Sequence, residues 1–149
     1  MVLRPHVKST IQSLDVSCIL HETEDADKVS AAVRVLVGQE AAFELEELEG
    51  HFGNKIRKLS LHLHGEEATR AFTHLTAKMP DVLRKSVAGE IDGLVDEHSS
   101  LYLRFDKQRL VQGEVAAGYD DAVRLKVKPR AILMHGRARD FFLSQMRVS

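Results

Sequence analysis

An α+β fold, built on a mostly antiparallel sheet with helices packed on one face, is what this sequence predicts. The first observation is strict alternation of apolar and polar residues in several short runs, the period of a half-buried strand. The second is a set of longer segments whose apolar residues recur every three or four positions, the period of an amphipathic helix. The third is their order, β-α-β-β-α-α-β-β-β with a C-terminal extension, which groups strands into hairpins and does not interleave each with a helix. At 149 residues the chain suits a single domain over 1–149, with 1–8 a lead-in and 130–149 an extension.

The clearest strand is Leu101 to Asp106, with Leu103 and Phe105 facing one way and Tyr102 and Arg104 the other. Asp106-Lys107-Gln108 offers turn chemistry, Arg109 to Ala117 resumes an extended pattern in Val111 and Val115, and Ala122 to Lys128 alternates Val123, Leu125 and Val127 with Arg124, Lys126 and Lys128. A three-stranded meander carrying a cationic stripe is therefore expected. Earlier, Ser9 to His21 reads as a strand with Leu14, Val16, Cys18 and Leu20 inward. Thr23 is placed to cap a helix whose stripe is Val29, Ala32, Val33 and Leu36 and whose end is Gly38. Phe43 to Glu49 is an acidic edge strand, joined through Gly50-His51-Phe52-Gly53-Asn54 to a strand over Lys55 to His64. Two helices follow, over Gly65 to Met79 and from Pro80 to about Glu97. After Pro129, Ala131 to Met134 predict a short fragment, and Phe141, Phe142, Leu143 and Met146 a small amphipathic helix.

Composition narrows the function. The formal net charge is -1, yet residues 1–100 carry 11 Lys+Arg against 17 Asp+Glu, and residues 101–149 carry 10 against 5. That asymmetry can build a basic patch on a nearly neutral protein. Cys18 is the only cysteine, so neither an internal disulfide nor a cysteine-based zinc site can form within the chain; burial as a small hydrophobe is expected. No apolar window reaches transmembrane length and no signal-peptide core opens the chain, so the expectation is an intracellular, cytoplasmic protein without a membrane partner. The phosphate-binding, dinucleotide-binding and nucleophile-elbow patterns are all missing, which lowers the prior for an enzyme.

Three clusters of cations remain: Lys55, Arg57 and Lys58 after the glycine loop; Arg104, Lys107 and Arg109 about the central turn; Arg124, Lys126, Lys128 and Arg130 on the last strand. Lys and Arg bind phosphates by charge and without base preference. Exposed rings are few, with Tyr102, Phe52 and Tyr119 as candidates, so base stacking has thin support. The acidic run Glu22-Thr23-Glu24-Asp25 beside His21 is explained by helix capping, and His62-x-His64 lacks further ligands of its own; no metal and no cofactor are assigned.

Taken in order, His21-Glu22-Thr23-Glu24-Asp25 with Lys28-Val29, Gly50-His51-Phe52-Gly53-Asn54-Lys55-Ile56, and Leu101-Tyr102-Leu103-Arg104-Phe105-Asp106-Lys107-Gln108 followed by Gly113 resemble the archaeal family described as RNA-binding proteins or predicted exosome subunits. The resemblance spans most of residues 9–130. It implies a fold similar to the large-subunit ribosomal protein numbered five and a noncatalytic role with RNA, with the exosome or another RNA-processing assembly as protein partner. It carries RNA contacts to Gly50, His51, Gly53, Asn54 and Lys55 in the loop, whose backbone N–H groups would approach a phosphate, and to Arg104, Lys107 and Gln108 at the turn. Lys58, Arg109, Arg124, Lys126 and Lys128 complete the expected RNA-binding set on charge alone. A second class of function is a protein–protein adaptor docking through the acidic Glu40–Glu49 segment and the apolar Phe141-Phe142-Leu143 tail. A third is a metal-dependent hydrolase using His21, His62 or His64.

Overall fold

A computed structural model describes residues 9–50, 53–131 and 137–147. The predicted lead-in over Met1–Lys8, the loop residues His51 and Phe52, and the Ile132–Met134 part of the predicted fragment lie outside the described residues. The elements run β1 (Ile11–Leu20), α1 (Ala26–Val37), β2 (Glu44–Glu49), β3 (Lys55–His64), α2 (Gly65–Lys78), α3 (Asp81–Gly89), α4 (Ile91–Leu94), β4 (Leu101–Asp106), α5 (Lys107–Val111), β5 (Ala122–Pro129) and α6 (Arg137–Gln145). The strands form one five-stranded sheet in the order β2-β3-β1-β5-β4 with every pair antiparallel. The predicted α+β class holds.

Alternation decides the layering. Leu14, Val16, Cys18 and Leu20 of β1 share a buried face with Leu59, Leu61 and Leu63 of β3, Leu101, Leu103 and Phe105 of β4, and Val123, Leu125 and Val127 of β5. Against them pack Val29, Val33, Leu36 and Val37 of α1 and Ala68, Ala71, Phe72 and Leu75 of α2. Helices lie on this face alone among the described residues, leaving the other face of the sheet uncovered. Where β1 shifts register between Ile11 and Ser13, the Thr69 hydroxyl of α2 accepts the backbone N–H groups of Ile11 (3.1 Å) and Thr10 (3.2 Å) and donates to the Gly65 carbonyl. The irregular start of the strand is thereby satisfied by the helix below it.

Four expectations are corrected. The extended Arg109–Ala117 segment starts instead as the short helix α5: Asp106 accepts the Arg109 N–H (2.9 Å) as a cap, and Lys107 and Leu110, three apart, turn inward. The expected third strand is reduced to one bridge, Phe105↔Ala117, so the meander is two strands with a strap. Gly118 lets that strap lie against β4. Its N–H donates to the Arg104 carbonyl at 2.9 Å, and a Cβ there would sit 2.5 Å from the Phe105 carbonyl carbon. Next, α1 is capped by Asp25, accepting from Asp27 N–H at 2.9 Å, and not by Thr23.

The Pro80–Glu97 helix breaks at Glu90 into α3 and α4 and ends before Val95, which bridges to Leu101 while Asp96 accepts the N–H groups of His98 and Ser100. Finally, the apolar tail is part of the core. Phe142 is fully buried, edge-to-face on Phe72 at 5.7 Å and 81°, with Phe141 5.5 Å from Phe142. Phe142 is therefore not available as a docking surface, while Phe141 and Leu143 are half-buried beside it.

Candidate nucleic-acid interface

In an antiparallel pair, residues opposite one another point to the same face, so the strand registers lay out the uncovered side of the sheet as rows. One row reads His64, Ser13, Lys128 across β3, β1 and β5. The next reads His62, Asp15, Lys126, Tyr102 and reaches β4. The third reads Glu44, Ser60, Ser17, Arg124, Arg104 across all five strands, and beyond it Glu46 faces Lys58, which faces Ile19. Lys58, Arg104, Arg124, Lys126 and Lys128 thus share one surface, as the alternation of their strands predicts.

These five cations form no ion pair among the described residues. Arg104 reaches only the Tyr119 carbonyl at 3.5 Å, and Lys126 Nζ stands 5.8 Å from the centre of the Tyr102 ring. Arg104 lies directly opposite Arg124, a placement of like charges that disfavours the sheet by itself and is relieved when an anion enters between them. Of the carboxylates in these rows, Glu44 and Glu46 stand on the edge strand β2, and Asp15, in the middle of the sheet, is engaged by His62 (Nδ1 to Oδ1, 2.7 Å). Side chains of these rows enclose a shallow hollow of about 510 Å³ lined by Asp15, Ser17, Lys58, Ser60, His62, Tyr102, Arg104, Arg124 and Lys126. A second hollow of about 350 Å³ adjoins it through Ser17, Lys58 and Arg124.

The other expected contacts have different places. Lys107 is fully buried, and its ammonium lies 2.7 Å from each of the Glu24 carboxylate, the Asp121 carboxylate and the Ile19 carbonyl. Burial alone would lower its pKa; the carboxylates of Asp121 and Glu24 outweigh that and raise it above the ordinary 10.5. It is a structural cation and does not reach the uncovered face. Gln108 is exposed, 3.4 Å from Glu24, and Arg109 lies on α5 with Glu114 at 3.7 Å. Since α5 packs beside α1 in the helix layer, neither joins the cationic rows.

In the loop, Gly50 N–H donates to the Asn54 carbonyl (2.7 Å) and Gly53 N–H to the Gly50 carbonyl (3.3 Å), with Gly53 at φ 74°. Those two amides are engaged within the turn and not offered to a phosphate. Asn54 and Lys55 are exposed, and His51 lies outside the described residues.

The first and third of the segments that carry the family resemblance meet at one end of the sheet, joined there by Arg57, the residue that follows the second. Leu20 pairs with Arg57, Arg57 Nη2 donates to the Glu24 carbonyl at 2.6 Å, and Glu24 Oε1 accepts both His21 N–H (3.0 Å) and Lys107. His21, Glu24 and Asp121 have donor atoms close enough to hold a metal ion, but the cation that the two carboxylates share is Lys107. Cys18 lies beneath, 4% exposed, its thiol pushed up to about 11 chiefly by burial.

Sequence reasoning missed Asp121 as a partner of Lys107 and Asp96 as the residue that holds Tyr102, whose hydroxyl donates to Asp96 Oδ2 at 2.9 Å. The first pairing carries no sequence signal. The second had one in the short Asp96-x-x-x-Ser100 turn ahead of a strand.

An all-antiparallel sheet with helices on one face and unpaired cations on the other defines a protein equipped to hold a polyanion. Over residues 13–129 the chain matches the family described as RNA binding, and it belongs to that family. It is similar to RNA-binding protein PAB1135 of Pyrococcus abyssi (strain GE5 / Orsay), 29% identical over 138 residues, covering 88% of this chain and 90% of the relative. It is similar also to the uncharacterized protein MJ0213 of Methanocaldococcus jannaschii, 32% identical over 123 residues, covering 76% and 81%. Among solved structures, protein AF2318 from Archaeglobus fulgidus superposes with a TM-score of 0.79 at 24% identity, over 91% of this chain and 99% of that one. That likeness establishes the fold. No described helix is long and apolar enough to cross a membrane.

Proposed function

We propose that this protein is a noncatalytic RNA-binding protein that grips the phosphate backbone across the uncovered face of its sheet. The observation that carries the reading is the set Lys58, Arg104, Arg124, Lys126 and Lys128, co-facial and held in no ion pair among the described residues, with Glu46 opposite Lys58 at the β2 edge. Membership of the RNA-binding family and the name of the Pyrococcus relative support the choice of RNA over other polyanions. The resemblance of the three segments, taken in order, to predicted exosome subunits supports an accessory place in an RNA-processing assembly.

The test is binding to a mixed pool of cellular RNA across a salt series, for the natural chain and for a variant carrying Arg124→Gln, Lys126→Gln and Lys128→Gln. Each phosphate contact on a single strand contributes a slope of about -0.7 in log affinity against log salt. The natural chain is expected to bind with steep salt dependence, and the variant to bind more weakly with a slope shallower by about 2. Absence of binding by the natural chain at low salt contradicts the reading.

A further inference from the structure

Resting on that reading, we propose that the uncovered face seats one unpaired nucleotide, its base on the Tyr102 ring and its phosphate between Arg104 and Arg124, and so takes single-stranded RNA in preference to a duplex. The base seat and the phosphate seat are neighbours on β4. Tyr102 and Arg104 are two residues apart on one strand and project from the same face, about 7 Å apart along it, within the reach of one nucleotide. Arg124, opposite Arg104, closes the phosphate seat, and Lys126, opposite Tyr102, borders the base seat.

The ring is held before any ligand arrives. Its hydroxyl donates to Asp96 Oδ2 at 2.9 Å, while the other oxygen of that carboxylate accepts the N–H groups of His98 and Ser100, each at 2.9 Å. These hydrogen bonds outweigh the upward push of burial and keep the Asp96 carboxyl below its usual range, so it stays an anionic acceptor. A fixed ring loses little freedom on binding. It remains 41% exposed, on the wall of the hollow.

Lys126 near the ring is no obstacle, since an exposed cation–π contact is weaker than base–aromatic stacking, and a displaced ammonium still serves the phosphate. Inside a duplex both faces of each base are covered by its neighbours, so away from the helix ends only an unpaired base can lie on Tyr102.

The experiment measures fluorescence anisotropy of a short mixed-sequence RNA single strand and of its fully paired duplex at matched salt. The proteins are the natural chain, Tyr102→Ala, Tyr102→Phe, and Arg104→Gln with Arg124→Gln. The natural chain is expected to bind the single strand more tightly than the duplex. Tyr102→Ala is expected to weaken single-strand binding about tenfold with an unchanged salt slope and little effect on the duplex. Tyr102→Phe keeps the stacking surface and is expected to keep most of the affinity. The double arginine variant is expected to weaken binding to both ligands and flatten the salt dependence.

Equal affinity of the natural chain for strand and duplex overturns the nucleotide seat. So does a Tyr102→Ala protein that binds as the natural chain does while the arginine variant weakens, an outcome that leaves the phosphate-binding face standing. If the natural chain binds neither ligand, the seat and the parent reading fall together.

Discussion

Replacing Lys107 by Met is expected to lower the stability of the protein by about 3 kcal/mol, which for a chain of this size moves the melting temperature down by about 6–12 °C. Methionine keeps most of the stem but takes the cation away from Glu24, Asp121 and the Ile19 carbonyl, which all aim at it from 2.7 Å. A carboxylate and a carbonyl left facing an apolar terminus are the costly result, as whenever one partner of a buried pair is removed. Asp121 is 47% exposed and can rehydrate, which places the expected loss at the low end for a buried pair. A second change, Glu24→Gln, in the Lys107→Met background is expected to cost less than it does alone, because the interaction it would break is already gone.

The pH dependence has a definite sign. The folded pKa of Lys107 is raised, so its contribution is fully present below the ordinary 10.5 and is lost only as the pH climbs through the higher folded value. Urea unfolding at neutral pH and above pH ~10.5 checks both statements. A loss below ~0.5 kcal/mol at neutral pH would mean the ammonium is dispensable.

The second large effect is expected at the other end of the chain. Phe142→Ala is predicted to destabilise by about 3–5 kcal/mol, the range for emptying a buried aromatic site. Phe142 is fully buried, and its ring meets Phe72 edge-to-face, with Phe141 against both. Thermal unfolding should remain a single transition at lower temperature, because α6 shares the core with α2. If the tail were a detachable docking segment, the same substitution would leave the melting temperature almost unchanged. That outcome would restore the adaptor reading for Phe141 to Leu143.

Strands were legible from the sequence wherever one face is buried and the other wet. β1, β3, β4 and β5 alternate cleanly, and the co-facial placement of Arg124, Lys126 and Lys128 follows from that period alone. What the period cannot give is the order of strands across the sheet. Arg104 meets Arg124 because β4 pairs with β5, and Lys58 joins them because β3 and β5 flank β1. The extended pattern of Arg109–Ala117 misleads because Val111 and Val115 are compatible with a strand, whereas the Asp106 cap and the inward pull on Lys107 and Leu110 decide locally for a helix. Lys107 itself illustrates the limit of reading charge as surface. Nothing within its own segment announces Glu24, 83 residues earlier, or Asp121 across the strap. Of the turn residues that the family resemblance singled out, Lys107 and Gln108 gather at Glu24 at one end of the sheet, whereas Arg104 lies with the other unpaired cations along its open face.

The most direct measurement is an amide chemical-shift titration of isotopically labelled protein with unlabelled single-stranded RNA. Binding across the uncovered face predicts perturbations concentrated on the strands at Ser13–Ile19, Lys58–His64, Tyr102–Arg104 and Arg124–Lys128, with α1 and α5 unaffected. Perturbations gathered on α1 and α5, or confined to the Gly50–Lys55 turn while the strand residues stay unmoved, would contradict it.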